Sequence, residues 1–295
     1  MTTINNNSGE ITMANHPVQI DQMNIDQMNI ILTGSCGGIG REAAMQLSRR
    51  GARIIAIGRD SDRLQQLLDT LEPHRSQPHQ RFCLDLCNPQ QRLQLIQKLN
   101  KQQLDQPQFS PNVLINLAGI NQLALFEQQT PTQIEQLIDI NLTATLLLTH
   151  CLLPLLRQQA SAQIINVGST FGSIGYPGYV SYCTTKFALR GFTEALQREL
   201  SDSVIRVQYF APRATKTPLN SRQANQLNDQ LHNATDDPET VAQSLLLLLT
   251  SNRSNRYLGW PERLFVKLNA LFPALVGGSI RKQLPLIKHY AGSGD

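Results

Sequence analysis

Six short apolar runs recur along the chain, at 29–33, 53–57, 81–84, 113–116, 163–167 and 205–210, each too short to be a buried helix. The segments between them carry apolar residues at helical spacing, roughly over 41–49, 60–71, 89–99, 132–156 and 180–200, with a further one at 238–249. Strands that are apolar on both faces and alternate with helices predict one parallel sheet covered on both sides, a doubly wound α/β fold. Such a sheet accommodates ~250 residues, so the 295-residue chain reads as a single domain with extended ends. The expected parts are a polar tail at 1–27, a core domain at 28–252 and a basic amphipathic extension at 253–295. A tandem pentapeptide, at 21–25 and 26–30, spans the first boundary, its second copy running into the first strand.

Charge is unevenly placed. The extension holds seven of the 26 Lys and Arg residues against Glu262 and Asp295, while the whole chain carries a net +4. The body is therefore close to neutral, which argues against a nucleic-acid partner, since that needs a positive stripe on the folded domain. Five cysteines, odd in number and lying in strand or helix segments, do not form a secreted disulfide framework and predict reduced thiols in a cytoplasm. The spacing of Cys83 and Cys87 matches no zinc pattern, and no metal is expected. The start lacks the basic-then-apolar order of a signal peptide. The longest apolar stretch, 144–156, is broken by His150 and Pro154 and falls short of the ~20 residues that span a bilayer, so no transmembrane helix is expected.

The first strand runs through Thr33, Gly34, Ser35, Cys36, Gly37, Gly38, Ile39 and Gly40 into a helix. Glycines at such a turn let backbone amides approach a pyrophosphate, and the helix N-terminus adds a partial positive charge. Farther on, Ser169 precedes Tyr182 by thirteen residues and Lys186 follows it by four. A four-residue gap puts the phenol and the ammonium on one helix face, where the cation favours the phenolate and makes Tyr182 a candidate general acid or base.

These elements together resemble the short-chain dehydrogenase/reductase family over roughly 28–249. The glycine motif fits Thr33, Gly34, Gly38, Ile39 and Gly40, and the Asn-x-Ala-Gly element after the fourth strand fits Asn116, Ala118 and Gly119. Asp85 matches the acidic residue at the adenine, Asn141 the helix-breaking asparagine, and Ser169, Tyr182 and Lys186 the catalytic trio. The resemblance implies a Rossmann-type fold and hydride transfer between a nicotinamide and a carbonyl or secondary alcohol. Tyr182 would then exchange a proton with the substrate oxygen, Ser169 would bond that oxygen, Lys186 would hold the nicotinamide ribose, and Asn141 would complete a relay through water. Ser35 and the motif glycines would cradle the phosphates. A homodimer or homotetramer is implied by the likeness of the helices after Asn141 and around Tyr182 to the family's packing pair. The alternative is a nucleotide-binding regulatory or membrane-peripheral module without turnover, against which the intact trio speaks.

Cofactor choice rests on the end of the second strand, where Gly58 and Arg59 stand instead of the carboxylate that binds ribose hydroxyls in NAD proteins. NADP(H) is favoured over NAD(H), with a solvent-facing Arg59 beside Asp60 and Asp62 as the plainer alternative. Two departures from the family pattern stand out. Arg213 replaces the usual glycine ahead of Thr217, the residue matched to the carboxamide contact, and the usual short ending gives way to 260–289. In that ending Leu264, Leu268, Leu271 and Leu275 recur at helical spacing with Pro273 as a break. The stripe either packs on its own subunit or a partner, or touches a membrane surface through Lys267, Arg281, Lys282 and Lys288. An apolar tail beside a Gln- and Asn-rich insert at 215–237, placed where a lid would be, suggests a lipophilic small-molecule substrate.

Overall fold

A computed structural model describes residues 23–292. Among them, strands β1 (Asn29–Thr33), β2 (Arg53–Gly58), β3 (Gln80–Cys83), β4 (Val113–Asn116), β5 (Ala162–Val167), β6 (Ile205–Ala211) and β7 (Asn255–Tyr257) form one sheet. Its order is β3-β2-β1-β4-β5-β6-β7 and every pairing is parallel. The helices are α1 (Gly38–Ser48), α2 (Ser61–Leu68), α3 (Pro89–Asp105), α4 (Pro131–Ile138), α5 (Ala144–Leu156), α6 (Val180–Glu199), α7 (Arg222–Gln230), α8 (Pro238–Leu249), α9 (Glu262–Leu271) and α10 (Pro273–Gly292).

Side chains alternate across the sheet and build a core on each face. Ile30 and Leu32, Ile54 and Ala56, and Val113 and Ile115 point to one side, where α1, α2 and α8 cover them. Ile31, Ile55, Ile57 and Leu114 point to the other, under α3, α5 and α6. β1 pairs with β2 on one side and β4 on the other, so the chain reverses its winding between β1 and β4. In open parallel sheets that reversal opens a crevice beyond the strands' carboxyl ends, and ligands bind there.

Helix starts follow the local chemistry. The Asp60 carboxylate accepts from the amides of Asp62 and Arg63 to open α2, Asn88 does the same for α3, and Ser221 caps α7. Thr130 and Gln133 form a reciprocal capping box at α4, with Pro131 in the first turn. α1 differs: its cap is Gly37, and no side chain bonds its first-turn amides.

Two sequence expectations change, at β7 and at the helix expected over 132–156. β7 was hidden because Asn255, Arg256 and Tyr257 form no apolar run, yet it pairs with β6 and draws 255–257 into the core domain. At the other end, the tail reading holds no information for 1–22, which lie outside the described residues, while Met23 and Ile25 already pack on the core. The helix expected at 132–156 is interrupted by a π turn, Asp139–Thr143, that joins α4 to α5. The joined helix, Pro131–Leu156, is long and apolar enough to cross a membrane by length and composition, but Leu148, Leu152, Leu155 and Leu156 are buried against the sheet and make it a core helix.

Candidate active site

A cavity of about 560 Å³ lies where the loops after β1, β4, β5 and β6 converge. At one end it is lined by Gly34, Gly37, Gly38, Ile39 and Arg59, in the middle by Ala118, Gly119, Ser169, Tyr182, Lys186 and Thr217. These eleven residues, all but Gly37 among the site residues read from the sequence, come from separate loops to one wall, whereas Ser35, Gly40, Asp85, Asn116 and Asn141 do not line it.

The chemistry sits at the start of α6. Tyr182 is hydrogen-bonded to the Ser169 hydroxyl, and Ser169 Oγ also accepts from Phe171 N at 3.1 Å. Lys186, one turn on, is 5% exposed and donates from Nζ to Val167 O at 3.1 Å, with Nζ 5.6 Å from the Tyr182 ring centroid. Burial pulls the ammonium down to about 8. Burial also pushes the Tyr182 phenol up to about 12, with the Ser169 hydrogen bond pulling the other way. Desolvation therefore governs the phenol, against the phenolate-favouring influence expected of Lys186, and the tyrosine is a proton carrier held in its acid form at neutral pH.

Asn141 lies within the π turn and is 1% exposed. Its Oδ1 accepts from Ile120 N at 2.7 Å, and its Nδ2 donates to Ile120 O at 2.9 Å and to Thr185 Oγ1 at 3.2 Å. The side chain clamps the segment after Gly119 to α6 and does not itself line the cavity.

The glycine turn is built on close approach. Gly34 has φ +65°, and a Cβ there would stand 2.8 Å from Ala118 Cα, so only glycine lets the loops after β1 and β4 touch. Above the turn, Thr217 crosses from the β6 side, its Cγ2 2.7 Å from where a Gly38 Cβ would be. Four residues expected at the cofactor do not line the cavity. Ser35 turns away from the cavity, fully buried, its Oγ donating to Ile57 O at 3.2 Å to tie the turn to β2. Gly40 packs against the carbonyl of Gly34 and has a steric role. Asn116 Nδ2 donates to Asn166 Oδ1 at 2.8 Å and Thr149 Oγ1 at 3.0 Å, bracing β4 to β5 in a buried polar network. Asp85 accepts from Cys87 N at 2.9 Å in the turn after β3, outside the cavity wall.

The family model for short chain dehydrogenases matches residues 28–228. The chain belongs to the short-chain dehydrogenase family. It is similar to the uncharacterized oxidoreductase YciK of Escherichia coli, 31% identical over 64% of this chain and 74% of that one. A 3-ketodihydrosphingosine reductase of Bos taurus is 27% identical over 78% of this chain and 71% of its own. A short-chain dehydrogenase from Sphingobium yanoikuyae, solved in complex with NADPH, superposes with TM-score 0.71 at 28% identity, covering 85% of this chain and 94% of that one. The chain is accordingly an oxidoreductase of this family.

In this short-chain dehydrogenase several site residues escape sequence reasoning. Phe171 stacks on Tyr176 with centroids 5.0 Å apart, and Tyr179 stands 6.2 Å from Tyr182, forming an aromatic wall. The recurrence of tyrosine at every third position, 176, 179 and 182, was the available signal. Tyr209, on β6, holds the catalytic loop by accepting from Ser169 N at 3.4 Å and donating to Ser169 O at 3.3 Å. Arg63 joins Arg59 at the cavity's end and donates to Cys36 O at 2.8 Å.

Arg213, which replaces the family's glycine, does not bring a bare charge to the site. Its guanidinium is bidentate to Asp236 at 2.9 and 2.7 Å and reaches both Glu262 oxygens at 3.2 Å. Those two carboxylates hold the guanidinium further into its charged form. One side chain thus ties the loop after β6 to the end of the 215–237 insert and to the start of α9. Arg213→Ala is expected to cost about 1–3 kcal/mol, less than a fully buried pair because each group keeps some exposure. Urea unfolding would read the loss, and faster hydrogen exchange across α7 and α9 would localise it; unchanged exchange there would show that the clamp holds nothing.

Proposed function

We propose that the protein is an NADP(H)-dependent oxidoreductase that interconverts a neutral, lipophilic ketone and its secondary alcohol. The hydrogen-bonded pair Tyr182 and Ser169 carries the reading, because it faces one cavity shared by a glycine turn and an apolar wall. The residues present fit the cofactor: α1 begins on Gly37 without a side-chain cap, leaving amides to meet an anion, and Gly34 and Gly119 keep the floor clear of side chains. Gly37, Gly38 and Ile39 would hold the pyrophosphate, Ala118 and Gly119 the adjacent ribose, and Lys186 and Thr217 the nicotinamide end. When bound, the nicotinamide supplies the hydride. Tyr182 gives its proton to the substrate oxygen, Ser169 donates a second hydrogen bond to that oxygen, and buried Lys186 sustains the positive field under which the phenol releases it. Asn141 acts at one remove by fixing the loop at Ile120.

Lipophilic substrates are supported by the far wall, where Phe265, Val276 and Ile280 join the aromatic residues. The name of the bovine relative, a 3-ketodihydrosphingosine reductase, supports ketone reduction. Exposed Leu147 on α5, with Val180 and Phe187 on α6, supports a homodimer or homotetramer through these helices. The unpaired thiols support a cytoplasmic setting. NADP(H) preference is supported by Arg59 and Arg63 at the end of β2, by the NADPH-bound neighbour, and by the nearest carboxylate, Asp60, being committed to capping α2.

Binding titrations are expected to give tighter NADPH than NADH, and Arg59→Ala to erode the preference by about 1–3 kcal/mol, as for a charge-assisted bond. Equal affinities in the wild type would remove the assignment. NADPH oxidation with ketones of increasing chain length tests the substrate class; a preference for small or anionic carbonyls would overturn it.

A further inference from the structure

α9 and α10 lie beyond the segment that matches the family, and their two faces differ. The inner face belongs to the site: Phe265, Val276, Ile280 and Gln283 line the cavity, Tyr176 donates to Gln283 Oε1 at 3.0 Å, and Asn269 donates to Ser173 O at 2.9 Å. The outer face presents apolar side chains that are exposed among the described residues. Trp260, Leu271 and Leu275 are 73%, 72% and 71% exposed, and Leu264 and Phe272 join them across the bend between the helices. Phe265 belongs to both faces, lining the cavity while 43% exposed, so the outer stripe continues into the substrate chamber.

Charge decides what such a stripe fits. Between 260 and 292 the exposed cations are Arg263, Lys267, Arg281, Lys282 and Lys288, and the single carboxylate, Glu262, is paired inward with Arg213. On α9, Arg263 and Lys267 run along the edge of the Leu264, Leu268 and Leu271 stripe, one turn apart. A second copy docking here by two-fold symmetry would set five cations against the same five, a repulsive contact with no acid to relieve it. An anionic bilayer instead offers apolar depth to the leucines and phosphates to the cations, the combination an interfacial helix uses.

We propose that the α9–α10 hairpin seats on an anionic lipid surface, with Trp260, Leu271, Phe272 and Leu275 at the headgroup boundary and the cavity mouth beside Phe265 opening toward the lipid. The substrate then enters from the bilayer without crossing water. This step rests on the lipophilic-substrate reading for its purpose, but its test reads binding alone and is independent of turnover.

The test is flotation of the full chain with phosphatidylcholine vesicles, neutral or containing about 30 mol% phosphatidylglycerol. Binding is expected on the anionic vesicles and should fall several-fold as salt rises from about 0.1 M to about 1 M, where the Debye length drops from ~10 Å to ~3 Å. The double variant Leu271→Glu, Leu275→Glu should lose binding by tenfold or more, and Lys267→Glu or Lys282→Glu by at least about fivefold each. These side chains are exposed and outside the cavity, so circular dichroism and NADPH affinity should match the wild type and exclude misfolding. Absence of wild-type binding to anionic vesicles overturns the proposal, as does equal, salt-insensitive binding to neutral ones. If the leucine variants instead reduce the particle mass by light scattering and no vesicle binding is seen, the stripe is a subunit contact and the proposal is likewise overturned. A wild type that binds vesicles but reduces no ketone would leave the surface standing and remove the lipophilic-ketone reading.

Discussion

Replacing Tyr182 by phenylalanine is expected to lower kcat by about 10²–10⁴ while NADPH binding stays nearly unchanged. The substitution removes one oxygen and keeps the ring, which packs edge-on against Phe171 at 6.5 Å and Tyr179 at 6.2 Å, so the wall of the cavity persists. What is lost is the proton and the bond to Ser169. The direction of the wild-type pH profile follows from the phenol being pushed up to about 12. Ketone reduction uses the protonated phenol and should be flat across neutral pH on this account, whereas alcohol oxidation needs the deprotonated form and should accelerate as pH rises. Single-turnover measurements in both directions would check the pair of slopes. A variant keeping more than a tenth of the wild-type rate, or an oxidation rate that falls with pH, would place the proton elsewhere.

Lys186→Met should abolish activity and yet make the cofactor-free protein more stable at pH 7, by about 2 kcal/mol. The lysine is held at about 8 against an ordinary 10.5, because folding strips water from its ammonium. The sign follows directly: the unfolded chain binds the proton more tightly, so the penalty is fully present below pH 8 and disappears as pH climbs from 8 to 10.5. That penalty is worth ~3 kcal/mol, less ~1 kcal/mol for the bond to Val167 O that methionine cannot make. Melting curves from pH 7 to pH 10 should show the advantage of the variant shrinking with pH. A less stable variant at pH 7, or a pH-independent difference, would mean that the ammonium is solvated or paired in the native state.

The six strands flanking the site were legible because each is a contiguous apolar run, and the trio at 169, 182 and 186 because a serine, a tyrosine and a lysine fall at fixed intervals on local structure. What the sequence hid was whatever depends on who stands opposite. β7 is polar and short, and becomes a strand through pairing with β6. Ser35 and Asn116 carry the residue types of binding groups, but the side of the backbone they leave from directs them into the fold. Arg213 read as an intruder because its two carboxylates lie 23 and 49 residues away. The aromatic wall was visible as a pattern but not as a surface, since nothing local tells Phe171 to stack on Tyr176.

The π turn at Asp139–Thr143 has a consequence for how this chain can vary. A π turn takes one more residue per revolution than an α-helix, so everything downstream is out of phase with everything upstream by about 100°. α4 and α5 share an axis but bury different stripes, and Leu148, Leu152 and Leu155 reach the sheet because of that offset. Deleting a single residue there would restore a regular spiral and swing all of α5 off its bed, though no side chain had changed. The stretch therefore acts as a phase shifter: its composition is free to drift around Asn141, whereas its length is fixed by thirteen residues of helix that follow it.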